Sequence, residues 1–189
     1  MYIVEYVLTP VENYNSSHNI FKLFIFQVRE LASRRSLENL TSCPVLTWTT
    51  EQFMAHVNNC LTVPGAELAF GGKPLENHTV PSCYGAVEPT AVIVPIEALS
   101  NPEHFKILTT ELFGPFQILV RWSDGQLDDV LDALNNMQNH LTAGIVSNDP
   151  QFLNHVLGNT ISGTIYAGLL ARTTAAPQQS VLHFFSFFF

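Results

Sequence analysis

The sequence has little charge and little cysteine. Of its 189 residues, 13% are charged, which is about half the share found in an average soluble protein. The hydrophobic fraction is 47%. This composition excludes intrinsic disorder, which requires low hydrophobicity and high charge. The length predicts one domain, and the low charge favours an interior that belongs to a larger protein.

The three cysteines, Cys43, Cys60 and Cys83, form no CxxC pair and leave one residue over. They therefore match neither a zinc site nor a disulfide framework, and they favour a reducing compartment. An activated thiolate requires a helix N-terminus, a cation or a partner base, whereas Cys43 precedes a proline, Cys60 lies late in a predicted helix and Cys83 lies in a predicted loop. The histidines are scattered as well. We expect no catalytic residue among the cysteines and no metal site.

Positive charge and long apolar runs are also scarce. Eight Lys and Arg residues stand against 16 Asp and Glu residues, a net charge of −8. An acidic chain repels phosphate, so we expect no nucleic-acid partner. The most apolar stretches, residues 20–28 and 181–189, are far shorter than the ~20 residues of a transmembrane helix, and we expect no membrane partner. Residues 1–10 match neither a secretory signal nor a transit peptide.

Three segments differ in pattern. Residues 1–26 show no sustained period, and we expect an irregular, atypical N-terminal segment. Residues 27–178 show regular alternation of apolar and polar residues and form the predicted domain. Residues 179–189 form an atypical tail with five phenylalanines, which is an aggregation hazard if it is exposed.

The regular segment alternates strands with helices. The predicted strands are residues 67–70, 90–95, 116–122, 140–147 and 163–167. One predicted helix ends at residue 35, and others span residues 51–61, 126–139 and 150–157. Residues 103–111 are predicted to form a turn or a short helix. Candidate N-caps are Thr49 or Thr50, Ser123 or Asp124, and Asn148 or Asp149. This alternation is typical of an α/β fold with a mostly parallel sheet and flanking helices. Ligand-binding and active sites in such sheets lie at the carboxyl ends of the strands.

One segment, Thr110–Phe116, combines features that point to binding. A carboxylate (Glu111), an aromatic ring (Phe113) and a Gly-Pro turn directly precede a predicted buried strand. The residues alone leave two alternatives open, a simple turn with a solvated glutamate and a ligand-binding motif. The chain contains no GxSxG, HExxH, GxxxxGK[ST] or GxGxxG pattern, so the common motifs for those chemistries are absent.

Residues 111–115, Glu-Leu-Phe-Gly-Pro, resemble the E-[IL]-F-G-P motif of the aldehyde dehydrogenase superfamily. Four further stretches resemble the plant-type delta-1-pyrroline-5-carboxylate dehydrogenases and occur in the same order. They are residues 29–35, 85–95, 140–153 and 164–178. The resemblance covers about residues 27–178 and corresponds to the C-terminal part of the catalytic domain, so it implies a partial aldehyde dehydrogenase domain.

The resemblance implies a reaction and a cofactor. In these enzymes a cysteine thiolate attacks the aldehyde, a hydride passes to NAD, and water hydrolyses the thioester. The substrate, a small-molecule aldehyde, would be glutamate 5-semialdehyde, which is oxidised to glutamate in proline catabolism. The resemblance also implies a mitochondrial location and a homo-oligomeric full-length enzyme. Glu111 would accept hydrogen bonds from the nicotinamide ribose, and Phe113 would pack beside the nicotinamide.

The sequence departs from the family at both ends. Where the family has its catalytic cysteine, residues 6–26 contain no cysteine, and residues 180–189 replace a Gly-rich substrate loop. The resemblance therefore implies a dehydrogenase fragment that is inactive alone and has no catalytic residue. Two alternatives stay open, a non-catalytic interaction module and a regulatory subunit of a full-length dehydrogenase, so enzyme status is left undecided.

Overall fold

The computed structural model describes residues 14–40, 44–123, 125–169 and 171, with side chains from residue 21 onward. The chain divides into two compact units. Of the described residues, those up to Trp122 belong to the first unit and those from Ser123 onward belong to the second. The predicted Phe-rich tail lies outside the described residues, and the predicted domain bounds remain a prediction. Helices and strands alternate along the described chain, which confirms the α/β class.

The first unit contains a three-stranded sheet with helices around it. Its elements in chain order are α1 (Tyr14–Ser33), α2 (Thr50–Leu61), β1 (Glu67–Phe70), β2 (Thr90–Pro95), a 3₁₀ turn (Ile96–Ser100), α3 (Pro102–Leu108) and β3 (Phe116–Arg121). The strand order is β1-β2-β3. β1 is antiparallel to β2, whereas β2 and β3 are parallel and paired from Thr90–Phe116 to Pro95–Arg121. The segment from β2 through α3 to β3 is therefore a βαβ unit, as the sequence predicts.

Apolar side chains cover both faces of this sheet. Successive residues of a strand point to opposite faces. Val92 and Val94 of β2 belong to a buried cluster with Phe53 of α2 and Leu108 of α3. Ala91, Ile93 and Leu119 form a second cluster, against which three side chains of α1 pack, namely Phe21, Phe24 and Ile25. A strand that is buried on both faces needs a continuous apolar run, and Thr90–Pro95 has one.

Helix α1 corrects the expectation of an irregular segment over residues 1–26, because the helix begins at Tyr14. Its packed residues Phe21, Phe24 and Ile25 follow helical spacing. Leu23 and Phe26 are also apolar but are 56% and 57% exposed. These two residues make the exposed side of the helix nearly as hydrophobic as the packed side. The helical period of apolar residues is therefore not visible in the sequence.

Helix α2 begins with a capping box at the predicted position. The Gln52 N–H donates to Oγ1 of Thr49 over 3.3 Å, and the Thr49 N–H donates to Oε1 of Gln52 over 2.9 Å. Two backbone donors that the helix cannot pair internally are satisfied in this way. The cap fixes the start of the helix whose buried residues Phe53 and Val57 enter the core.

The second unit contains a parallel strand pair. Its described elements are α4 (Leu127–Asn135), β4 (Thr142–Ile145), α5 (Pro150–Gly158) and β5 (Thr164–Ala167). β4 and β5 are parallel and are connected through α5, which makes a second βαβ unit. Asp149 caps α5 by accepting from the Gln151 N–H over 2.8 Å, and Pro150 follows at the first helical position. Both features were predicted from the sequence.

Helix α4 differs from its prediction at both ends. It begins after Gln126, which makes no side-chain cap bond. Ser123 does not cap the helix, since its N–H and Oγ both donate to Oε1 of Gln126, and the alternative cap, Asp124, lies outside the described residues. The helix ends at Asn135 rather than Asn139. Asn135 and Asn136 have low helix propensity, and Asn135 donates through Nδ2 to the carbonyl of Asn159 over 2.8 Å.

No helix in the described part of the chain combines the length and the hydrophobicity that crossing a membrane requires.

Candidate functional site

The candidate site is the loop that connects α3 to β3 and carries Glu111 and Phe113. α3 ends at Leu108 and β3 begins at Phe116, so the loop lies at the amino end of β3. This position differs from the general expectation for parallel sheets, in which function collects at the carboxyl ends of the strands. The chain order of carboxylate, aromatic ring and turn before a strand is as the sequence predicts.

Two consecutive tight turns shape the end of the loop. The Gly114 N–H donates to the carbonyl of Leu112, and the Phe116 N–H donates to the carbonyl of Gly114, each over 2.9 Å. Such three-residue turns are common where a strand begins. The Thr90 N–H donates to the carbonyl of Pro115 over 2.8 Å. The loop is thereby joined to β2 before β3 starts.

A second chain segment, residues 44–46, holds the other side of the loop. The Leu46 N–H donates to the carbonyl of Phe113 over 2.9 Å. Val45 is completely buried. A Cβ atom added at Gly114 would lie 2.7 Å from Cγ2 of Val45, which is closer than real Cβ contacts. Residue 114 must therefore be glycine because the valine occupies the space of its side chain.

Glu111 has one carboxylate oxygen in an unusual environment. Its Oε2 is buried and has no hydrogen-bond partner in the described part of the chain. Burial raises the pKa of the Glu111 carboxyl above its ordinary value of 4.5. An unpaired buried acceptor costs about 1–3 kcal/mol. This oxygen therefore differs from the fully solvated carboxylate that the simple-turn alternative predicts.

The structure brings both predicted cofactor-binding residues into one loop. Phe113 is half-buried and lies two positions after Glu111, and its carbonyl is held by Leu46. Which groups of a ligand each residue contacts stays a prediction. Sequence reasoning missed Val45 and Leu46 as neighbours of this loop. No local pattern identifies them, since the contact depends on chain segments far apart in sequence.

The described cysteines differ sharply in environment. Cys60 is buried and Cys83 is exposed, while Cys43 lies outside the described residues. Burial raises the pKa of the Cys60 thiol to about 11, so the thiol is protonated at neutral pH and is a poor nucleophile. Among the described residues, no group of three or more His, Cys, Asp or Glu residues could hold a metal ion.

Known proteins resemble this chain over most of its length. The sequence profile of the aldehyde dehydrogenase family matches residues 22–179. A probable aldehyde dehydrogenase of Linum usitatissimum is 57% identical over 154 residues, which cover 82% of this chain and 28% of the relative. The mitochondrial delta-1-pyrroline-5-carboxylate dehydrogenase 12A1 of Arabidopsis thaliana is 53% identical over 168 residues, which cover 88% of this chain and 29% of the relative.

Among solved structures, an NADP-dependent enzyme of E. coli aligns with 68% of this chain and 24% of its own, with 24% identity and a TM-score of 0.49. The two plant relatives are much longer than this chain, which spans less than a third of the length of each. The predicted resemblance to the aldehyde dehydrogenase family is confirmed by the family match and by the two plant relatives. The chain belongs to the aldehyde dehydrogenase family.

Proposed function

We propose that this chain supplies part of the nicotinamide-ribose site of an NAD-dependent dehydrogenase that oxidises glutamate 5-semialdehyde to glutamate. The observation that carries the proposal is the buried, unpartnered Oε2 of Glu111. The proposed substrate is supported by the 53% identity to a relative named delta-1-pyrroline-5-carboxylate dehydrogenase. We also propose a mitochondrial location, because the name of the same relative includes the word mitochondrial.

The chemistry of Glu111 fits a vicinal diol. An ionised carboxylate accepts hydrogen bonds through both oxygens, and hydrogen bonds to a charged acceptor are about twice as strong as neutral ones. The two hydroxyls of a ribose offer the donors that Oε2 does not find in the described part of the chain. Hydrogen bonds to the ionised form favour it, so ligand binding would lower the raised pKa of Glu111.

Bound NAD would supply the acceptor for the hydride, and the residues of this chain would orient it. Glu111 would fix the ribose, and the half-buried Phe113 would restrict the ring attached to it. Orientation of this kind lowers the entropic part of the barrier. We propose that the chain alone performs no chemistry, because residues 6–26 carry no cysteine and Cys60 is held as a thiol. Loss of the covalent nucleophile removes the chemical route itself.

The cofactor part is tested by titrating the chain with NADH and following the nucleotide fluorescence. Glu111→Gln should raise the dissociation constant about tenfold, which corresponds to one lost charge-assisted hydrogen bond. Glu103→Gln is the matched control, since Glu103 is exposed on α3 and lies outside the loop. Equal binding by both variants would contradict the role of Glu111, and no binding by the unmodified chain would contradict the cofactor site.

The second part is tested by incubating the chain with glutamate 5-semialdehyde and NAD while the absorbance of NADH is followed. We expect no NADH to form. Turnover that disappears when Cys43, Cys60 or Cys83 is replaced by serine would overturn the proposal that the chain is inactive alone. The same assay with added full-length dehydrogenase tests the regulatory alternative, which predicts a change in that enzyme's rate.

A further inference from the structure

We propose that Val45 is a positioning residue, whose side chain sets the place of the Glu111 loop by filling the space between Gly85 and Gly114. Only the NADH measurement at the end of the test depends on the proposed function. The placement of the loop itself is independent of any ligand.

Two glycines, Gly85 and Gly114, are close neighbours of Val45. A Cβ added at Gly85 would lie 2.8 Å from Cβ of Val45, and a Cβ added at Gly114 would lie 2.7 Å from its Cγ2. Both distances are shorter than real Cβ contacts, so the backbones at residues 85 and 114 approach Val45 as closely as glycine allows. The bulk of one valine therefore separates the Glu111 loop from the backbone at Gly85.

Backbone hydrogen bonds prevent Val45 from moving aside. The Val45 N–H donates to the carbonyl of Gly85 over 2.8 Å, and the Gly85 N–H donates back to the carbonyl of Val45 over 3.0 Å. The next residue, Leu46, donates its N–H to the carbonyl of Phe113 over 2.9 Å. Three segments distant in sequence are thus joined in a fixed order, from Gly85 through Val45 and Leu46 to the loop.

The loop contributes a buried side chain to the same cluster. Leu112, which lies between Glu111 and Phe113, is 8% exposed and belongs to the core cluster that contains Val45. Protein interiors are close-packed, so a change of volume at one core position is felt by its neighbours. Removing two methyl groups at residue 45 would therefore release the loop on the side of Gly114, and the buried place of the Glu111 carboxylate depends on that loop.

The test compares Val45→Ala with Val57→Ala. Val57 matches Val45 in burial, since it is 1% exposed and belongs to the same cluster. It lies on α2, however, and not beside Gly114. Amide hydrogen exchange is measured by NMR at Leu46 and Gly114, whose N–H groups bond to the carbonyls of Phe113 and Leu112. We expect Val45→Ala to accelerate both amides about tenfold relative to Val57→Ala, because local opening governs their exchange.

Equal acceleration in the two variants would overturn the proposal, since it would reflect only general loss of core packing. A second route remains if Val45→Ala does not fold. Gly114→Ala should accelerate the exchange of Leu46 by forcing a methyl group against Val45, whereas Gly158→Ala, whose added methyl group meets nothing within 4 Å, should retain the exchange rates of the unmodified chain. Acceleration by Gly158→Ala as large as that by Gly114→Ala would also contradict the proposal.

NADH binding is measured on the same variants. If the unmodified chain binds NADH, Val45→Ala should weaken binding at least about threefold and Val57→Ala should not, because small misplacements of a binding group reduce its effect strongly. If the unmodified chain does not bind NADH, the proposed function fails, while the exchange rates of Leu46 and Gly114 still decide the role of Val45.

Discussion

Nε2 of His56 lies 3.5 Å from Sγ of Cys60 within helix α2, and both side chains are buried. Although cysteine and histidine form the nucleophilic pair of many enzymes, burial raises the pKa of Cys60 to about 11 and lowers the pKa of His56. Both groups are therefore neutral at pH 7, and the pair belongs to the core.

We predict that iodoacetamide at pH 8 modifies the exposed Cys83 and leaves Cys60 unmodified in the folded chain. The thiolate is the reactive form, and the raised pKa of Cys60 makes it scarce. Mass spectrometry of the digested protein identifies the modified residue. In guanidinium both residues should react, and this reaction is the control. Similar rates at Cys60 and Cys83 in the folded chain would show that α2 opens readily.

Replacing Glu111 by glutamine should stabilise the chain at neutral pH in the absence of ligand. Because burial raises the native pKa above 4.5, the unfolded chain releases the Glu111 proton first as pH rises. The ionised group then favours unfolding, and this cost grows until pH exceeds the native pKa. Below the unfolded pKa both states are protonated and the cost is absent.

The corresponding measurement is urea unfolding of the unmodified chain and of Glu111→Gln from pH 3.5 to pH 7.5. The variant's gain in the free energy of unfolding should be smallest at pH 3.5 and largest at pH 7.5. A gain that is equal at all pH values would mean that folding does not raise the pKa of Glu111, and a loss that appears as the pH rises to 7.5 would mean that the folded chain stabilises the carboxylate.

Gly71 and Gly72 offer a comparison of two neighbouring glycines. Their φ angles are 73° and 74°, so alanine at either position costs about 1–2 kcal/mol in backbone strain. A Cβ at Gly71 would also collide with the carbonyl of Pro89 and lie 2.6 Å from Oγ1 of Thr90, whereas a Cβ at Gly72 would meet the flexible end of Leu68. Gly71→Ala should therefore cost a further 1–3 kcal/mol, roughly the cost of overpacking.

Chemical denaturation of Gly71→Ala and Gly72→Ala measures this difference directly. Each variant is the other's control for the strain at positive φ. If the two variants lose equal stability, the contact with Pro89 and Thr90 does not constrain the turn after β1.

Thr49→Ala should lower the free energy of unfolding by about 1 kcal/mol, because it removes the side-chain acceptor for the first turn of α2. Thr49→Ser keeps the acceptor and is the matched control. The urea midpoints of both variants provide the measurement, and equal midpoints would mean that water replaces the cap at no cost.

The elements that the sequence predicts well are those with local signals. The bounds of β1 and β2 agree with the prediction, since each strand is a short apolar run between turn residues. The start of α5 also agrees, because Asp149 and Pro150 define a helix N-terminus without reference to the rest of the chain. The physical properties of the α3–β3 loop draw attention to it but leave the simple-turn alternative open, and only its motif indicates a cofactor role.

Features that depend on distant contacts could not be predicted. The buried, unpartnered Oε2 of Glu111 and the approach of Val45 to Gly114 arise from pairing between segments that are far apart in sequence. At the early end of α4, the side chain of Asn135 bonds to the carbonyl of the distant Asn159. Each of these three features exists only in the folded chain, so the local sequence does not reveal it.

Helix α1 has a practical consequence for any shortened version of the protein. Phe21, Phe24 and Ile25 cover Ile93 and Leu119 of the sheet, yet all three precede residue 27, where the regular sequence pattern starts. A polypeptide trimmed at that point would leave one side of β2 and β3 open to water, and an apolar patch of this kind promotes self-association. A shortened version that keeps this side of the sheet covered must therefore begin before Phe21, upstream of the residue at which the regular sequence pattern starts.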